Sequence, residues 1–379
     1  MSQRSTIVIM KNRKSERLRL ALSEDCTYVY LSDLKFPWLQ RLISKSGRVL
    51  ANRGSNESYY RLVAQRIARE FTDRKMVIVS LDNTNHLAAE FRRAGLTCPI
   101  VLVQHGTNSI QYGSSDALTL SNSLLLCFGK REVSQYVLSG YRPEVAVPVG
   151  SLLNSHYLRS KPRIPVSRVD ARVCIMSEYR SDGADQLDNY MVARQDSWDS
   201  LLANIRSLPK VLPLSLHVAL RPSEFGSGSV TDQVAYFRRR LGYEVTFSAP
   251  DSPFSSYSAS DCSQVTVGVI SASLIESLGR GNKVIFSNPV ADDRLNSPLQ
   301  GICEHRGDNS SSLIERIGEV DQLELQDFES RVLPSVEHVI ERQVDAVDAV
   351  TTATRMLSAG IAIEDLATQL GPLLVKSET

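Results

Sequence analysis

Short apolar runs recur along the first half of the chain. Several of the stretches between them carry apolar residues at helical spacing. Strands are predicted at residues 6–10, 27–31, 76–80, 100–103, 123–128 and 145–149. Residues 58–71 (SYYRLVAQRIAREF) put apolar side chains on one helical face and arginines on the other, and residues 86–94 read as a second helix. A third helix, over residues 130–139, stops at Gly140, a suitable C-cap. Strand–helix alternation of this kind predicts a parallel sheet with helices on both faces.

Residues 160–170 (SKPRIPVSRVD) break the pattern with two prolines and three basic residues, and read as an interdomain linker. The alternation then restarts. Strands are predicted at 173–176, 216–220, 244–247, 264–269 and 283–286, and helices at 196–205, 231–241 and 272–278. Residues 325–370 are mostly helical in pattern, whereas the Ser/Gly-rich pieces near 226–229 and 252–263 read as surface loops. The expected fold is α/β, with two Rossmann-like domains and a helical C-terminal tail. The expected spans are residues 1–160, 171–330 and 331–379.

Composition narrows the function. A chain of 379 residues suits two domains, and 42% apolar with 22% charged residues is ordinary for a globular protein. No apolar run reaches the ~20 residues of a membrane span. Ile7-Val8-Ile9-Met10 is too short for a signal-peptide core and runs into Lys11, Arg13 and Lys14, so a soluble, cytoplasmic protein is expected. A net charge of +1 gives no sign of a broad nucleic-acid surface. The six cysteines are scattered singly, which suggests reduced, mostly buried thiols and no metal centre.

Parallel α/β sheets bind ligands beyond the carboxyl ends of their strands. Asp82-Asn83-Thr84-Asn85 follows the strand at 76–80. Asp82 there is either a helix N-cap or a carboxylate able to act as nucleophile or base. Gln104-His105-Gly106 follows the strand at 100–103. A histidine before a glycine at a strand end suits acid–base work or an anion contact, and the glycine lets a ligand approach. Residues 271–281 read as a Ser-rich turn, a short helix carrying Glu276 and a glycine pair. Ser271 and Ser273 at the helix start suit a phosphate, and Glu276 one turn in suits ribose hydroxyls. Arg180, in Ser177-Glu178-Tyr179-Arg180, and Arg221, in Arg221-Pro222-Ser223, stand near two further strand ends and suit an anionic ligand. The chain holds no P-loop, G-x-G-x-x-G after the first strand, G-x-S-x-G, H-E-x-x-H or D-x-D motif.

In order and spacing, Asp82-Asn83, Gln104-His105-Gly106, Phe128-Gly129 and Val149-Gly150-Ser151 resemble the N-terminal half of bacterial surface-carbohydrate glycosyltransferases of GT-B type. Residues 175–180, 219–222 and 271–281 are similar to their nucleotide-sugar half, and the nearest group is the retaining β-Kdo transferases. The resemblance covers scattered blocks within residues 75–290. It implies a metal-independent enzyme with a CMP-linked ulosonic acid, such as Kdo, as donor. The acceptor would be a glycan or glycolipid of lipopolysaccharide or capsule, reached at the cytoplasmic face of the inner membrane. Asp82 matches the position of a carboxylate that forms a glycosyl adduct before the acceptor attacks. His105, with Asn83, Gln104 and Gly106, would position the sugar. Arg180, Arg221, Ser271, Ser273 and Glu276 would hold the donor. No cofactor beyond the donor is implied. The alternatives are a nucleotide-sugar epimerase or hydrolase on the same scaffold, and a non-catalytic partner in glycan assembly.

Overall fold

The computed structural model describes residues 6–10, 18–19, 22, 26–30, 54–70, 76–80, 85–104, 118–138, 141–160, 173–179, 189–212, 215–221, 229–242, 245–248 and 254–370. The chain divides into two compact units, one formed by Met1–Ser155 with Gln343–Thr379 and the other by His156–Arg342.

Unit 1 is built on β1 (Thr6–Met10), β2 (Cys26–Tyr30), β3 (Met76–Ser80), β4 (Ile100–Val103), β5 (Leu118–Cys127) and β6 (Tyr141–Pro148). Its helices in the first part of the chain are α1 (Gly54–Glu70), α2 (Asn85–Arg93) and α3 (Lys130–Leu138), while α4 (Leu152–Ser160) runs across the division between the units. The strands are all parallel, in the order β2-β1-β3-β4-β5-β6. Continuous apolar strands such as IVLV in β4 are what a sheet covered on both faces requires. Their side chains alternate between two cores. Ile7, Ile9, Val77 and Val79 pack with Val63, Ile67, Leu87 and Phe91 of α1 and α2. Val8, Ile78, Val101 and Val103 face the other way.

Two strands of unit 1 are longer than the apolar pattern indicates. β5 begins five residues before the predicted start and carries an irregularity between Leu120 and Leu124, where Asn122 has φ 51°. β6 starts at Tyr141 and contains Pro143, which is tolerated because β6 lies at the edge of the sheet.

Unit 2 carries β7 (Val173–Met176), β8 (Leu216–Ala219), β9 (Thr246–Ser248), β10 (Val265–Gly268), β11 (Val284–Asn288) and β12 (Glu304–Arg306). Its helices after α4 are α5 (Asn189–Ile205), α6 (Leu208–Val211), α7 (Val230–Leu241), α8 (Ser255–Asp261), α9 (Ala272–Gly279), α10 (Ser310–Gln322) and α11 (Leu325–Val339). The parallel order β12-β11-β10-β7-β8-β9 is that of a doubly wound Rossmann sheet. α7 shows how local chemistry sets the bounds. Ser229 and Asp232 form a reciprocal capping box at its start, and Gly242 ends it in the left-handed region at φ 69°.

The segment 252–263, expected to be a surface loop, holds α8 instead. Ser260 is fully buried there, with Thr266 Oγ1 at 3.1 Å and the Asn282 amide donating to it at 3.2 Å. Small hydroxyl side chains that hydrogen-bond one another pack into the core despite their polar composition.

The residues 331–379 grouped as a tail are shared between the units. α11 lies in unit 2, whereas α12 (Ala346–Ser358) and α13 (Ile363–Gln369) complete unit 1. Val350, Met356, Leu357 and Leu366 close the second face of the unit 1 sheet, packed in one core with Val8, Ile78 and Val101. The expected linker at 160–170 lies outside the described residues but for Ser160, the last residue of α4.

Candidate functional site

In unit 2 successive strands are laid down in opposite directions across the sheet on either side of the parallel pair β7 and β10, so their carboxyl ends form the topological switch point, where doubly wound sheets bind ligands. Ser177-Glu178-Tyr179 leaves β7 there, and Val269-Ile270-Ser271 leaves β10 into α9. Gly268 ends β10 in close approach to α9. A Cβ at this position would lie 2.8 Å from Leu274 Cδ1, so a larger residue would force the buried Leu274 side chain to shift.

The two turns are tied by a buried carboxylate. Glu178 Oε1 accepts from the Ile270 N–H at 2.9 Å. Its Oε2 accepts from Arg194 Nε at 2.8 Å and Nη2 at 2.6 Å, and Arg194 Nη2 also donates to the Ile270 carbonyl at 3.0 Å. The Glu178 side chain is 3% exposed and that of Arg194 20%. Neither residue stands out in the sequence as a functional candidate. A Glu after a strand and an Arg on the next helix carry no spacing signal of their own.

Ser271 caps α9, its hydroxyl accepting from the Ser273 N–H at 3.3 Å. Both serines are half-buried beside the switch point. Arg221 stands two residues past Ala219, which pairs in register with Met176 of β7, so it follows the same sheet edge. Its backbone is held by Gln233 of α7. The Arg221 N–H donates to Gln233 Oε1 at 3.1 Å, and Gln233 Nε2 donates to the Arg221 carbonyl at 2.7 Å. Fully buried Gln233 was also missed, since a glutamine one turn into a helix is common on solvated faces.

Glu276 is placed deeper than the sequence reading supposed, at 2% exposed. The Tyr257 hydroxyl of α8 donates to its Oε2. The Arg280 guanidinium lies 4.3 Å from the Tyr257 ring centroid and 5.4 Å from that of Tyr157, and its Nε donates to Asp261 at 2.8 Å. Burial, and secondly the charge of Asp261, push the Tyr157 hydroxyl up to about 12. The structure thus brings Arg221, Ser271 and Ser273 to the carboxyl end of one sheet and sets Glu276 within the packing between α8 and α9.

In unit 1 the corresponding switch point lies between β1 and β3. Asp82 stands two residues beyond β3 in the sequence. Asp82, Asn83, His105, Gly106 and Arg180 themselves lie outside the described residues. Gln104 is described. It is buried, its Nε2 donating to Glu132 Oε2 at 2.7 Å and its Oε1 accepting from the Phe128 N–H at 2.9 Å. The amide is engaged in clasping the end of β4 to the turn that starts α3. Glu132, fully buried, reads in the sequence only as a favourable acid in a helix first turn.

Among the described residues no group of three or more His, Cys, Asp or Glu side chains could hold a metal ion. Burial pushes the Cys174 and Cys303 thiols up to about 12, so neither is a thiolate at neutral pH. No described helix is long and apolar enough to cross a membrane.

No protein-family model matches the sequence, and no curated protein matches it. Solved structures do match. S. aureus MnaA in a structure with UDP is 12% identical, with a TM-score of 0.56 over 94% of this chain and 96% of that one. Methanocaldococcus jannaschii UDP-GlcNAc 2-epimerase, in complex with UDP-GlcNAc and UDP, is 10% identical, with a TM-score of 0.53 over 94% and 99%. An α,α-trehalose 6-phosphate synthase from Burkholderia multivorans is 10% identical, with a TM-score of 0.50 over 98% and 99%. At such identities the likeness is one of fold. The chain has a GT-B-like α/β fold, a scaffold shared by nucleotide-sugar epimerases and glycosyltransferases.

Proposed function

We propose that the protein transfers a glycosyl group from a nucleotide-activated sugar to a glycan or glycolipid acceptor. The observation that carries this reading is the unit 2 switch point. There Arg221 follows the carboxyl end of β8, and Ser271, Ser273 and the start of α9 follow that of β10, the two strands that flank β7. Backbone N–H groups at a helix start, hydroxyls and a guanidinium together suit the phosphate of a donor. Two of the fold neighbours are described with UDP bound, which supports a nucleotide ligand for this scaffold.

In this reading Asp82 serves as nucleophile or general base, His105 with Asn83 and Gly106 positions the sugar, and Arg180 joins Arg221 on the donor. Gln104, held by Glu132 and the Phe128 N–H, joins them by fixing the strand end from which His105 and Gly106 follow. A retaining outcome follows if Asp82 carries the glycosyl group between two inversions. The donor suggested by the sequence resemblance is a CMP-linked ulosonic acid such as Kdo, with an acceptor at the cytoplasmic face of the inner membrane. The nucleotides named with two of the neighbours are uridine nucleotides, so cytidine and uridine donors stand as the direct competitors.

A second reading, nucleotide-sugar epimerisation, is favoured by the epimerases among the neighbours. The test is product analysis with CMP-Kdo and UDP-GlcNAc, each with and without a glycan acceptor. Transfer requires acceptor for turnover. Conversion of the donor alone to an epimer or a free sugar replaces transfer with the second reading.

A further inference from the structure

We infer that Glu178 and Arg194 form a positioning pair that fixes the turn from β10 into α9 for an anionic nucleotide. The inference rests on the nucleotide reading above and deepens it. Glu178 and Ile270 are 92 residues apart in sequence, and the carboxylate joins the two turns that flank the switch point. The contact has a specific form. The Ile270 N–H is held by Glu178 Oε1, and the Ile270 carbonyl is held by Arg194 Nη2, which at the same time grips Glu178 Oε2. Ile270 is therefore held by both its N–H and its C=O. The next residue, Ser271, caps α9, so the direction in which the helix presents its first N–H groups is set by this grip.

As a source of stability a buried ion pair is poor, because desolvation offsets most of its attraction. What it supplies here is geometry, together with charge balance. Arg194 neutralises Glu178, so an incoming phosphate meets no net negative charge from the buried carboxylate. Glu178 is accordingly a positioning residue, with Oε1 on the Ile270 N–H of the turn and Oε2 on Arg194.

The variant that separates positioning from pairing is Arg194→Lys. It keeps the positive charge beside Glu178 but lacks the planar fork needed to reach Oε2 and the Ile270 carbonyl together. Glu178→Gln is the companion variant, keeping an acceptor for Ile270 while losing the charge. Three quantities are measured on the full chain: the thermal midpoint, hydrogen exchange at the Ile270 amide without ligand, and binding of CMP and of UDP by calorimetry. The expected result is a folded Arg194→Lys protein with faster exchange at Ile270 and nucleotide affinity lower by about tenfold or more, the scale of a misplaced binding group. Wild-type affinity in both variants overturns the inference, as does unchanged exchange at Ile270. Loss of the fold in both assigns the pair to stability and overturns it too. If the wild-type protein binds neither nucleotide, the nucleotide reading itself falls and takes this inference with it. That outcome is recognised by silence of the unmutated protein.

Discussion

Ending the chain after Arg342 should unfold unit 1 while leaving unit 2 intact. The cut removes α12 and α13, which supply Val347, Val350, Met356, Leu357, Ile363, Leu366 and Leu370 to the core on the second face of the unit 1 sheet. Each of these seven side chains stabilises by about 1.5–3 kcal/mol when buried, roughly 10–20 kcal/mol together before the entropy of ordering the segment is subtracted. A whole domain has only about 5–15 kcal/mol of net stability. The loss also leaves Val8, Ile78, Val101 and Leu124 facing water in the middle of a parallel sheet. Hydrogen exchange read by mass spectrometry separates the units. In the truncated protein, peptides covering β1, β3 and β4 should exchange fully within the shortest times, while those covering β7, β10 and β11 keep wild-type protection. A graded version is Leu366→Ala, at a fully buried position, with an expected cost of about 2–5 kcal/mol in denaturant unfolding. Native-like protection of Val77–Val79 in the truncated chain would refute the assignment of these helices to unit 1.

Gly268→Ala should destabilise unit 2 by about 1–3 kcal/mol in denaturant unfolding, because the new methyl meets the fully buried Leu274; no change would mean that α9 moves away freely. Burial lowers His305 from its ordinary value of 6.5, and its ring nitrogens lie 2.9 Å from Ser287 Oγ and 3.0 Å from Ser312 Oγ. The fold therefore favours the neutral ring. That stability is whole above 6.5 and is lost as pH falls through the folded value, so the thermal midpoint should drop on acidification and His305→Gln should flatten the drop. Asp82→Asn should cut turnover by at least about a hundredfold with the fold preserved. If Asp82 is only a helix cap, the same change is nearly silent, since Asn caps about as well.

Much of the sheet was legible because strands covered on both faces must be apolar throughout. Thr6–Met10, Met76–Ser80, Ile100–Val103 and Val173–Met176 match the predicted residues. What stayed hidden has identifiable causes. α8 is written in serines whose burial depends on Thr266, Ser277 and Asn282, all later in the chain. β12 is three residues long and reads Glu-His-Arg, with only His305 pointing into the core. α12 and α13 show an amphipathic pattern, but periodicity reports a buried face without naming the sheet that buries it. The site divides the same way. Ser271 and Arg221 stand out as polar residues after strands, where topology puts ligands. Glu178, Arg194 and Gln233 act by holding backbone or one another, and Glu132 by holding the Gln104 amide, at sequence separations that no local spacing announces.

The most direct test of the account is hydrogen exchange of the full chain with CMP, UDP and GMP in turn, each at saturating concentration. The central claim is that unit 2 holds the nucleotide of an activated sugar at the ends of β7, β8 and β10. It predicts that the cytidine or the uridine nucleotide slows exchange in residues 177–179, 219–221 and 269–276 and leaves β1 and β2 unchanged. Absence of protection with every nucleotide, or protection confined to unit 1, would contradict it.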